Sequence, residues 1–118
     1  MHEFSLAAAL LELVAEDAHK HRARTVTRVV VRIGILSGVV PELFEEAFHV
    51  CKRATVAGHA VLQIERQEVL IACSCGYRGA ITDMRFVCPR CDNRDIEVTA
   101  GEDMILQQLE MDIEDSPA

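Results

Sequence analysis

The sequence predicts an α+β fold: a three-stranded sheet covered by two helices, with a small cysteine-rich module inserted ahead of the last strand. Three observations carry this prediction. Two stretches place apolar residues at helical spacing, and three more read as strands. Four of the five cysteines fall late in the chain as two close pairs, Cys73 with Cys75 and Cys88 with Cys91.

Residues 4–22 form the first helical pattern, with Ala7, Leu10, Leu11, Val14 and Ala18 on one stripe. Ser5 or Glu3 is placed to cap its start, and Lys20, His21 and Arg22 suit the negative end of its dipole. Residues 26–36 alternate as a strand: Val29, Val31 and Ile33 on a core face, Arg28, Val30 and Arg32 on a face at least partly wet. Leu36-Ser-Gly-Val-Val-Pro-Glu breaks that strand, and Pro41 suits the first position of a second helix because its missing N–H costs nothing there. Phe44, Ala47, Phe48 and Cys51 continue that helix on one stripe. A second strand is expected over 60–69, with Leu62 and Ile64 opposite Gln63 and Glu65, and a last one over 104–111. The organisation expected is therefore residues 1–70 plus 99–112 as an α+β domain, 71–98 as the insert and 113–118 as an acidic flexible tail.

At 118 residues, half of them hydrophobic, the chain can bury one aliphatic core; it has no Trp. No apolar run approaches a membrane span, and Met-His-Glu-Phe-Ser-Leu lacks the features of a signal peptide. A cytoplasmic, reducing location follows as the default, which favours metal over disulfides for the cysteine pairs. The net charge is −7, but the stretch from Asp95 to the end carries eight acids and no Lys or Arg, leaving +1 for residues 1–94. A solvated strand face and tail is the plainer reading, an acidic docking surface for a basic partner the sharper one.

Two cysteine pairs separated by twelve residues have the layout of a structural metal site, and four thiolates in a tetrahedron suit zinc. Cys88-Pro-Arg-Cys91 has the ordinary two-residue spacer. Cys73-Ser-Cys75 is tighter and is followed by Gly76, which gives the turn its backbone freedom. The competing ligand set is three thiolates plus an outside group such as His59 or Asp92. The insert balances Arg78, Arg85, Arg90 and Arg94 against Asp83, Asp92, Asp95 and Glu97, so it lacks the positive stripe that nucleic-acid binding needs.

Cys51 lies on an apolar stripe and reads as a small buried hydrophobe. His19, His21, His49 and His59 read as exposed or packed, and no catalytic constellation or phosphate loop is legible, so no catalytic residue is assigned. His2 stands apart by position. Its imidazole and backbone amide, with the Met1 amine, can close fused chelate rings on one ion, and square-planar nitrogen suits Ni(II) or Cu(II). Judged on these residues alone, a histidine in second place is more often without a metal.

In combination, Met1-His2-Glu3 with Ser5-Leu6, Ile33-Gly-Ile-Leu-Ser-Gly-Val39 with Pro41-Glu42, and Leu62-Gln-Ile-Glu65 ahead of the cysteine pairs resemble the HypA/HybF family of hydrogenase maturation factors, from Met1 to about Asp112. The resemblance implies a nickel metallochaperone, not an enzyme. Its nickel would be held by the Met1 amine, the His2 imidazole and amide and the Glu3 amide, in a flexible exposed site. Its zinc-ribbon-like insert would hold structural zinc on Cys73, Cys75, Cys88 and Cys91. Its partners would be the GTPase HypB and the [NiFe]-hydrogenase large subunit, with urease maturation proteins in some members, and neither nucleic acid nor membrane. This chain departs from the family's usual two-residue spacer in its first pair, and it lacks the histidine that some members carry directly after a cysteine pair, Gly76 and Asp92 standing there. The alternative from another class is a zinc-ribbon interaction adaptor with no nickel role.

Overall fold

The computed structural model describes residues 2–113. In chain order the elements are α1 (His2–Lys20), β1 (Ala23–Gly34), α2 (Pro41–Cys51), β2 (Val61–Gln67), β3 (Leu70–Cys73), β4 (Arg78–Ala80), β5 (Ile96–Ala100) and β6 (Met104–Ile113). They build two helices and two separate three-stranded sheets.

The first sheet has the order β2-β1-β6. β1 is central, pairing parallel to β2 through the α2 crossover and antiparallel to β6. Every residue of the predicted α1 stripe is buried, as are Val29, Val31 and Ile33 on β1 and Phe44, Ala47 and Phe48 on α2. These form one aliphatic core closed by two tilted phenylalanine rings. Arg28 and Arg32 lie on the outer face, where Glu110 and Glu65 meet them at 3.3 and 3.6 Å. Val30 shares that face yet is almost wholly buried, between Gln63 and Gln108 of the neighbouring strands.

Two expectations shift. α1 begins at His2 rather than residue 4, so Ser5 lies inside the helix and is not its cap. The stretch expected as one strand over 60–69 is divided: β2 ends at Gln67, and Val69 enters a second core with Ile71 and Cys88. That core belongs to the second sheet, β4-β3-β5, which runs antiparallel throughout. The separation lengthens the molecule to 61 × 37 × 17 Å, with a radius of gyration of 18.1 Å; a compact domain of this length has about 13–14 Å.

The chain passes between the sheets at Glu68 and again at 101–103. Here Gly34 crosses directly over Gly101: a Cβ on Gly34 would overlap the Gly101 carbonyl, and Gly101 itself has a φ of +106°. Three backbone hydrogen bonds fasten the crossing: Gly34 N–H to Asp103 C=O, Ile35 N–H to Gln67 C=O and Leu36 N–H to Gly101 C=O, at 2.9, 3.0 and 2.8 Å. A backbone-to-backbone clash has no flexible group to yield. Gly34→Ala is therefore expected to destabilise the protein by at least ~2 kcal/mol, read as a lowered midpoint in urea unfolding.

Candidate metal centres

The four paired cysteines converge. Their sulfurs all lie within 4.8 Å of one another. Cys73 Sγ is 3.6 Å from Cys91 Sγ, and Cys75 Sγ is 3.7 Å from Cys88 Sγ. A tetrahedral zinc with bonds of about 2.3 Å needs sulfurs roughly 3.8 Å apart, so the cluster fits a structural metal such as zinc. The quartet supplies four donors without an outside ligand: neither His59 nor Asp92 joins it.

The short first spacer is absorbed in the turn. In the first knuckle the Gly76 N–H donates to the Cys73 carbonyl, three residues back, at 3.0 Å. In the second, the Asp92 N–H donates to the Cys88 carbonyl, four residues back, at 2.8 Å. Gly76 and Asp92 both have positive φ, +100° and +63°, and each turns the chain back on itself. Cys73 N–H then reaches the Tyr77 carbonyl and Cys88 N–H the Asn93 carbonyl, at 3.0 and 2.9 Å. The two knuckles are thus alike apart from one residue of loop. The Arg90 N–H also donates to Cys88 Sγ at 3.4 Å, a contact that favours thiolate.

Four thiols this close cannot all ionise alone. Cys73 is drawn down to about 7, first by the Cys75 backbone N–H and further by hydrogen bonds from its three neighbours. Cys91 is pushed up to about 12: the Asn93 N–H draws it down, but desolvation and the other three cysteines outweigh that. A dication at the centre removes the conflict by pairing with the charge, with release of protons. Cys51 takes no part; it packs half-buried against the main core.

The N-terminal candidates lie at the opposite end of the chain in sequence. Met1 is outside the described residues. The His2 side chain is exposed, and its Nδ1 sits 3.6 Å from Glu3 Oε2. The Glu3 carboxylate accepts the Val40 N–H at 3.4 Å, linking the first turn of α1 to the residue that precedes α2. Its own backbone N–H, then that of Val40, hold its carboxyl below the ordinary value, with the neighbouring His2 adding to the effect against some desolvation. This anchoring is present above the ordinary carboxylate pKa and lost as pH falls through the lowered one. Because α1 starts at His2, the amides of residues 2 and 3 have no acceptor within the helix and are available for other chemistry.

One segment spans both regions. The turn over 35–40 is hydrogen-bonded at one end to the inter-sheet crossing and at the other to Glu3. The sequence held no sign of the Val40–Glu3 contact, which joins residues far apart in the chain through a backbone N–H and one carboxylate. His19, His21 and His49 are exposed. His21 lies against Asp17, and His49 is 4.0 Å from Glu45. No helix among the described residues is long and apolar enough to cross a membrane.

Comparison with known proteins agrees over the whole length. The family profile described as "Hydrogenase/urease nickel incorporation, metallochaperone, hypA" matches residues 1–111. The hydrogenase maturation factor HypA of Aquifex aeolicus is 40% identical over 115 residues, covering 97% of this chain and 100% of that protein. The HypA of Wolinella succinogenes is 41% identical, with 98% of each chain covered. Among solved structures, the Ni metallochaperone HypA from Helicobacter pylori superposes with a TM-score of 0.73 at 32% identity, over 95% of this chain and 98% of that one. A second, titled as the solution structure of HypA protein, gives a TM-score of 0.77 at 33% identity, over 97% and 98%. The chain therefore belongs to the HypA family of nickel-incorporation metallochaperones, the hydrogenase maturation factors.

Proposed function

We propose that this chain takes up Ni(II) at its N-terminus and yields it for insertion into a [NiFe]-hydrogenase, and that it does so without catalysing a reaction. The observation that supports this most is the family match beginning at residue 1, so that it includes Met1-His2-Glu3. In this reading the Met1 amine, the His2 imidazole and amide and the Glu3 amide form a four-nitrogen set suited to Ni(II). The residues fit such a use: the His2 ring is exposed, and the first-turn amides have no acceptor within the helix. Coordination through the Glu3 nitrogen exchanges its contact with its own carboxylate for a metal bond.

The site's position also suits release. A helix N-terminus carries a partial positive charge that disfavours a cation. Each bond to the amine or to an amide also breaks when a proton returns to that nitrogen, which gives the ion a route off the site. An exposed ring also leaves room for an incoming ligand. Zn(II) on Cys73, Cys75, Cys88 and Cys91 acts as a structural clip, since four protein ligands leave no open position. The working organisation is residues 1–70 plus 99–112 for nickel and 71–98 for zinc. The partners are the GTPase HypB and the hydrogenase large subunit, with urease maturation proteins as further candidates, in the cytoplasm.

Proton competition tests this reading. The amine, with a free pKa of about 7.7–8.0, and the coordinating amides must all lose protons. Nickel affinity is expected to fall more than about tenfold between pH 8 and pH 6, measured by competition with a chromophoric chelator. A flat profile contradicts nitrogen ligation at the N-terminus.

A further inference from the structure

The acidic stretch from Asp95 onward has no part in either metal centre, and the fold gives much of it a particular place. β6 is an edge of the first sheet, hydrogen-bonded to β1 on one side only. It runs for ten residues and contains no Pro, Lys or Arg, the residues that commonly blunt an exposed edge. One bulge at Gln107 interrupts it, and the six residues from Gln108 to Ile113 follow.

The two helices do not cover this strand. Leu106, Leu109 and Met111 face the core side but stay only half-buried, and Ile113 is exposed. An open groove of about 480 Å³ runs between β6 and the flank of α1, floored by these residues and edged by Asp17 and His21. Leu13, more than half exposed, and Glu16 extend the same wall. Glu110 and Asp112 stand on the outer face of β6, Glu110 beside Arg28 of β1 and Asp112 exposed.

We infer that this edge and groove receive an extended, basic segment of another protein, added to the sheet as a fourth strand beside β6. Backbone groups of the segment pair with the open edge, alternate apolar side chains fill the groove, and Lys or Arg between them meet the acids. Charge selects this occupant over a second copy of the chain. Pairing β6 with itself brings together Glu110 and Asp112 of two copies, on molecules of net −7. A basic strand gains from the same field, on both affinity and association rate.

The test uses the zinc-loaded full chain and a nine-residue peptide alternating valine and lysine. Controls are the same peptide N-methylated at alternate residues, which cannot complete a ladder, and a valine–glutamate version. Amide chemical shifts in two-dimensional NMR report the site. The expected result is shifts confined to β6 and the facing flank of α1, with binding weakened about tenfold from 50 to 500 mM salt. The N-methylated and acidic peptides are expected to bind neither there nor elsewhere. Asp112→Lys and Glu16→Lys, both exposed, should each weaken binding severalfold while leaving the spectrum of the core unchanged. Equal binding of the N-methylated peptide overturns strand addition. For the β6 amides that point away from β1, protection that grows with protein concentration, without peptide, overturns the choice of partner in favour of a second copy. Protection at every concentration shows that the chain's own terminus covers the edge and likewise overturns the proposal.

Discussion

Replacing Cys88 by serine is expected to unfold the β3-β4-β5 sheet and leave the helix-covered sheet standing. The asymmetry of the two cores is the reason. The main core holds fifteen buried hydrophobic residues, the second only Val69, Ile71 and Cys88. Three buried side chains are too few to offset the ordering of the segment from β3 to β5. Bound zinc has to supply the difference, and structural zinc contributes on the order of 10 kcal/mol at neutral pH. Cys88 is also wholly buried, so the variant strands a hydroxyl among apolar groups as it removes a ligand. Expected are loss of bound zinc and rapid amide exchange over 70–100, with protection of β1 and α1 retained. Collapse of both sheets together contradicts two separable units and makes the zinc clip a support for the whole fold.

Changing His2 to alanine is expected to weaken nickel binding roughly 100-fold or more, about 2.8 kcal/mol, without altering thermal stability. The substitution deletes one donor and the chelate ring it closes. The His2 side chain is more than half exposed and lies outside the buried core, so its removal has little effect on folding. Zinc content should not change, because the thiol quartet is built from other elements. An unchanged nickel affinity places the ion elsewhere and favours the alternative, a zinc-ribbon interaction adaptor.

Periodicity made the helix-covered sheet legible before its coordinates. Ala7, Leu10, Leu11, Val14 and Ala18 are buried as their spacing required, and so are Val29, Val31 and Ile33. The cysteine quartet was legible from spacing, and its shortened first knuckle proved to be a difference of turn length. Less was visible where short elements meet. β3 and β4 span four and three residues, too few for alternation to show. Val69 reads naturally as the end of β2 because Gln67-Glu68 holds no Gly or Pro to mark a change of sheet. Only Gly101, on the return crossing, bore a signal. The half-buried groove along β6 depends on where two helices sit over three strands, which no single segment encodes.

The central claim is that the N-terminus is the nickel site, and extending the chain by four glycines ahead of Met1 tests it most directly, a length that leaves His2 too far from the new amine to share fused chelate rings with it. The extension turns the Met1 amine into an amide and carries the free amine out of reach of the His2 chelate, while the fold and the thiol quartet stay as they are. Nickel is titrated into both forms and followed by its absorption spectrum. Predicted is one equivalent bound by the native N-terminus with the spectrum of square-planar nitrogen ligation, and loss of that species in the extended form. The same affinity and the same spectrum from both proteins would contradict the claim.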